Sequence, residues 1–139
     1  MAAIKGRDTK PEIIIRKALH QAGFRYRLHV RDLPGKPDIA FPRYHAVLFI
    51  NGCFWHRHDC HLFKWPQTRQ EFWEKKISGN VKNDAKKLEM LEASGWRVGI
   101  VWECALKGKY RRPHEATIQM IAKWLKSDDK KLEIQGLTE

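Results

Sequence analysis

Long apolar runs are missing from this chain of 139 residues. Ala46-Val47-Leu48-Phe49-Ile50 is strand-sized, far short of the roughly 20 apolar residues a membrane helix needs. The opening Met-Ala-Ala-Ile-Lys-Gly-Arg-Asp has no apolar core of the kind a secretion signal carries. Both absences lead to the expectation of a soluble intracellular protein. Cysteine is scarce: Cys53, Cys60 and Cys104 are an odd set of three. They cannot all pair with one another, and a reducing compartment disfavours disulfides, so they are free thiols or metal ligands. Acidic residues are outnumbered, 16 against 27 Lys and Arg, for a net charge of +11. That excess favours an acidic polymer as partner, nucleic acid first, over an inert basic surface. No internal repeat or low-complexity stretch occurs. The length suits one domain with its own core.

What is present reads as helix, strands, helix, strand, helix. Thr9-Lys10-Pro11-Glu12 fits a capping box, with Pro11 tolerated in the first turn. Ile14, Ile15, Ala18, Leu19 and Ala22 supply a buried stripe, and Gly23 a C-terminal stop. Phe24 to Val30 is a short strand candidate. After the turn at 33–37, Asp38-Ile39-Ala40-Phe41 and Ala46 to Ile50 form an expected hairpin. Thr68-Arg69-Gln70-Glu71 is a second capping box, and Ile77, Val81, Ala85, Leu88 and Leu91 follow at helical spacing. Gly79 inside that helix costs about 1 kcal/mol relative to Ala. Arg97 to Glu103 is another buried strand, running into Cys104. Pro113 can start a last helix with Ile118, Ile121, Ala122 and Leu125 facing inward. The expected architecture is α/β, a mixed central sheet flanked by helices. Residues 1–126 are expected to form a single domain, followed by a loose polar C-terminal tail at 127–139.

Chemistry concentrates at 53–61, C-F-W-H-R-H-D-C-H. Thiolates and imidazoles are the ligands zinc prefers. The candidates are Cys53, His56, His58, Cys60, His61 and Cys104, more than one tetrahedral site can use; the competing reading is buried thiols acting as small hydrophobes. Spacing alone leaves the fourth ligand open. Asp38, at a strand start in a basic protein, suits Mg²⁺ with phosphate oxygens in the remaining positions. It equally suits a turn aspartate capping backbone amides. Glu12 already has a capping role and is a candidate outer carboxylate. Phe54 and Trp55 are adjacent, so both cannot easily enter one core; apolar wedges between base steps are one use for such residues. Trp73 lies near the start of the second helix, with Lys75, Lys76, Lys82, Lys86 and Lys87 after it. Core packing beside Phe72 and a solvated basic face are the plain alternatives.

Pro37-Asp38, then the apolar strand, then N-G-C-F-W-H-x-H-x-C at 51–60, resembles the very short patch repair (Vsr) DNA mismatch endonuclease family. The likeness continues through T-R-Q-E-F-W-E-K-K-I-x-G-N at 68–80 and G-W-R-V-x-I-V-W-E-C-A-L at 95–106. It runs from about Arg7 to about Lys109; G-C-F-W-H is the specific block. The resemblance implies a restriction-endonuclease-like core, PD-(D/E)xK-type, with an added zinc site. It implies Mg²⁺-dependent nicking of one strand, 5′ to the thymine of a T:G mismatch in double-stranded DNA. Asp38 would bind magnesium, His56 would be the general base, and Glu12 would support the site. Cys53, His58, Cys60 and Cys104 would hold structural zinc. Phe54, Trp55 and Trp73 would enter the DNA stack, and Lys76 and Asn80 would touch the mismatched bases. Position 51 departs from the pattern: Asn51 stands where well-known members carry His and many others Asp, and Asn cannot titrate. A cytoplasmic bacterial monomer, nucleoid-associated when acting and working with other mismatch-repair proteins, is the matching expectation. The alternatives are a zinc-stabilised DNA-binding protein without cleavage, favoured by Asn51, and a related nuclease acting on other DNA.

Overall fold

The computed structural model describes residues 10–53, 58 and 64–137. Its centre is a sheet of five strands in chain order: β1 (Arg27–Leu28), β2 (Ile39–Phe41), β3 (Ala46–Asn51), β4 (Arg97–Trp102) and β5 (Lys131–Ile134). The β1–β2 and β2–β3 pairs are antiparallel, while β3–β4 and β4–β5 are parallel. Tight turns suffice for the antiparallel pairs, whereas each parallel pair needs a crossover. Those crossovers are α2 (Gln70–Ala93) between β3 and β4, and α4 (His114–Leu125) between β4 and β5. The helix α1 (Lys10–Gln21) precedes the sheet, and a short α3 (Glu103–Leu106) follows β4. No described helix is long and apolar enough to cross a membrane.

Two cores follow from the period-2 alternation of strand side chains. On one face, Ile15 and Leu19 of α1 and Ile121, Trp124 and Leu125 of α4 pack with Ile39, Phe41, Ala46, Leu48, Val101 and Ile134. On the other, Leu91 of α2 packs with Val30, Ala40, Val47 and Val98. The expected mixed sheet flanked by helices is therefore the observed one. Gly99 lets Leu48 and Trp124 pack closely over the sheet. A Cβ there would stand 2.9 Å from Leu48 Cδ1 and 3.0 Å from the Trp124 ring.

Several local expectations need correction. Only Arg27–Leu28 of the 24–30 segment is strand, because His29 takes a left-handed backbone, φ 50°. Thr9 lies outside the described residues. The second capping box does not form. Arg69 occupies the N-cap with a left-handed backbone and no capping hydrogen bond, its guanidinium lying 4.5 Å from the Phe72 ring centre. Helical spacing on α2 also misleads: Ile77 and Leu91 are buried, but Val81 and Ala85 are exposed. A helix of 24 residues is about 36 Å long, while six-residue strands span about 20 Å. The C-terminal end of α2 covers the sheet, and much of the rest has no sheet to cover. Nor is the C-terminal stretch loose. Residues Lys131–Ile134 are β5, with Ile134 fully buried, because a strand with every other residue apolar can pair despite a polar overall composition.

Replacing Gly99 by Ala puts a methyl group into a filled core. The expected cost is about 1–3 kcal/mol of unfolding free energy, measured by urea denaturation; an unchanged midpoint and slope would show that Trp124 has room to move.

Candidate metal centre and catalytic edge

The loop ends of β2, β3, β4 and β5 gather chemistry-bearing groups at one end of the sheet. Asp38 immediately precedes β2, and its Oδ2 accepts a hydrogen bond from Ile50 N at 2.7 Å. Its backbone carbonyl accepts from His29 N at 2.9 Å, which extends the β1–β2 ladder by a step. Asn51 ends β3 opposite Trp102 of β4. Glu12, in the first turn of α1, is buried, with only 2% of its surface exposed. A carboxylate so placed needs partners: Arg16 Nη1 lies 3.2 Å from its Oε2 and His29 Nε2 lies 4.0 Å away. His29 thus bridges the Glu12 carboxylate, which faces its ring, and the backbone carbonyl of Asp38, to which its N–H donates.

Beyond Asn51 the chain turns into a thiol–imidazole cluster. His58 Nδ1 is 3.5 Å from Cys53 Sγ and 3.5 Å from Cys104 Sγ. These three donor atoms all lie within 4.8 Å of one another, and both cysteines are buried. A tetrahedral zinc ion with ordinary Zn–S and Zn–N bonds has sulfur–nitrogen edges of about 3.5 Å. The donor types and spacing therefore fit that ion, with one corner left for a further ligand. Local bonds explain how the chain reaches this geometry. His58 N donates to Cys53 O at 2.9 Å, tying together the two ends of the 53–58 stretch. Cys53 N donates to Glu103 Oε1 at 3.1 Å, fastening that stretch to α3. Cys104 sits in α3 directly after β4. The His58 ring stacks on Trp102, centroids 4.2 Å apart at 11°.

Trp73, Lys76 and Asn80 lie on α2 at spacings of three, four and seven residues, hence along one side of the helix. Trp73 and Asn80 are half-buried and Lys76 is exposed. Trp73 meets Phe72 edge-on, centroids 5.2 Å apart, but Phe72 is itself 45% exposed, so this pair is not core packing. The structure accordingly brings together Cys53, His58 and Cys104, and separately Glu12 and Asp38 through His29. His56, Cys60, Phe54, Trp55 and His61 lie outside the described residues. Sequence reasoning missed His29, Trp102 and Gln135. A lone histidine just past a strand, a buried tryptophan and a glutamine in a polar tail carry no pattern; only tertiary packing gives them these neighbours.

Comparison with known proteins agrees with this arrangement. Residues 1–62 match the family model described as DNA mismatch endonuclease Vsr. The DNA mismatch endonuclease Vsr of Escherichia coli is 44% identical over 125 residues, covering 90% of this chain and 80% of that protein. The type II nicking enzyme V.XorIIP of Xanthomonas oryzae pv. oryzae is 46% identical over 106 residues, 76% of this chain and 78% of that protein. A type II nicking enzyme of Neisseria meningitidis, V.NmeAIP, is 44% identical over 109 residues, 78% of each.

Cys104→Ser should lower both bound metal, measured by elemental analysis of the purified protein, and the thermal midpoint. A stable variant carrying a full complement of metal would remove Cys104 from the ligand set.

Proposed function

The chain belongs to the DNA mismatch endonuclease Vsr family, and we propose that it nicks one strand of double-stranded DNA 5′ to the thymine of a T:G mismatch. The reading assigns residues 1–126 to a nuclease domain with a restriction-endonuclease-like core, and 127–139 to a polar tail that contributes β5. It places the protein in the cytoplasm as a monomer that meets other mismatch-repair proteins on DNA. The observation that supports it most is the gathering of Glu12, Asp38, Asn51 and the Cys53–His58–Cys104 cluster at one end of the sheet, in a chain of +11 net charge.

Hydrolysing a phosphodiester needs an activated water, positive charge for the developing oxyanion, and in-line geometry. Mg²⁺, when bound, supplies that positive charge. Asp38 would hold it, and one or two carboxylates with water and substrate phosphate oxygens are its usual surroundings. Glu12 is the supporting carboxylate; Arg16 and His29 keep it in place. His56 takes the proton of the attacking water, since an imidazole titrates near neutrality. It falls between two positions, Cys53 and His58, that zinc would hold together with Cys60 and Cys104. Asn51 contributes a neutral amide beside Trp102 and adjusts the attacking water or the metal without taking a proton. Phe54, Trp55 and Trp73 enter the base stack, which a mismatch makes cheap to open. Lys76 and Asn80 read the mismatched pair from α2. The part of α2 that extends past the sheet is suited to this, because its exposed basic side chains are not needed by the core.

The test is Mg²⁺-dependent nicking of a T:G duplex set against matched and otherwise mismatched duplexes. Asp38→Ala and His56→Ala should each abolish nicking while retaining salt-sensitive binding. Binding with no cleavage by the unmodified protein, in any divalent ion, would identify a binding protein disabled at Asn51. Equal cleavage of matched DNA would identify a nuclease of other specificity.

A further inference from the structure

Three contacts reach the thiol–imidazole cluster and its tryptophan from one short stretch at the end of β5. Gln135 Oε1 lies 2.9 Å from His58 Nε2. With a carbonyl oxygen as acceptor, Nε2 carries the ring hydrogen, and Nδ1 keeps the lone pair that faces both sulfurs. Gly136 N donates to Cys104 Sγ at 3.2 Å in a buried contact. Glu133 Oε2 accepts from Trp102 Nε1 at 2.7 Å, holding the indole on which the His58 ring stacks. Position 136 has no room for a side chain: a Cβ would stand 2.7 Å from Cys104 O and 3.0 Å from Tyr110 O. The stretch is pinned in turn. Arg112 Nε donates to Gln135 O at 2.6 Å, Leu137 N donates to Tyr110 O at 2.7 Å, and β5 pairs with β4.

We propose that Glu133–Gly136 is the outer shell of the metal centre, with Gln135 as the positioning residue that sets the His58 tautomer. Metal-bound histidines commonly donate their second ring N–H to such a partner, which fixes ring orientation and raises ligand basicity. Gly136 acts on the Cys104 sulfur in the opposite sense, its N–H donating to the sulfur and stabilising it as a thiolate. Because the partners belong to the segment that docks β5, metal binding and docking of the last strand stabilise each other. By linkage the coupling is reciprocal. The inference rests on the metal reading of the cluster, and it ties a polar C-terminal stretch to a site more than 70 positions earlier in the chain.

The experiment uses Co²⁺ as a spectroscopic probe and Zn²⁺ competition against a chromophoric chelator, on the full chain. Gln135→Leu removes the acceptor from an exposed position, so folding should survive. Its affinity should fall by about 10–100-fold, with an altered cobalt spectrum. Gln135→Glu keeps an acceptor and should restore affinity to within a few-fold of the unmodified protein. In the unmodified protein, hydrogen exchange at the β5 amides should quicken when metal is stripped. Unmodified protein that binds neither ion would overturn the metal reading and this inference together. If it binds, three results overturn the inference alone: equal affinity in Gln135→Leu, equal losses in the Leu and Glu variants, or β5 exchange indifferent to metal.

Discussion

One imidazole ties the working end of this molecule together. His58 Nδ1 faces the sulfurs of Cys53 and Cys104, its Nε2 meets Gln135, and its ring lies on Trp102. Those partners come from the turn after β3, from β4 and α3, and from the segment after β5. A single side chain thus joins the segments that leave the ends of three adjacent strands. Anchoring of this sort matters for a hydrolytic site, because misplacing a reacting group by even an ångström costs orders of magnitude in rate.

The sheet makes the anchoring possible. Parallel pairing of β3, β4 and β5 sends three chain segments out of the same sheet end, and ligands in α/β sheets are commonly met outside the carboxyl ends of strands. The antiparallel β2 begins at that same end, which is how Asp38 comes to accept a hydrogen bond from Ile50, the residue before Asn51. On the opposite side of the design, α2 is longer than the surface it covers. Leu91 packs against the sheet, and the earlier turns carry Trp73, Lys76 and Asn80 around the buried Ile77. One element therefore packs on the sheet at its end and carries exposed or half-buried polar and aromatic groups near its start.

Much of this was legible in the residues. Apolar runs at strand length gave β2, β3 and β4 because buried strands must be apolar on both faces. The dense thiol and imidazole block marked the place where Cys53 and His58 meet Cys104 in a group able to hold a metal ion. Misreadings had a common cause. The capping box at 68–71, the apolar spacing at Val81 and Ala85, and the polar stretch containing β5 are all local patterns. Arg69 in a left-handed conformation, the limited length of the sheet and the open edge of β4 overrode them.

The sequence by itself determined which chemistry this protein carries: the thiols, imidazoles, carboxylates and basic charge are fixed once the chain is written, and their spacing around position 53 is covalent. Only the tertiary structure decided which of them meet. His29 joins Glu12 to Asp38, and Gln135 reaches His58 across 77 positions, because strands distant in the chain are neighbours in the sheet. No local preference encodes those meetings; they are set by which strand edges pair and which helix faces need burial.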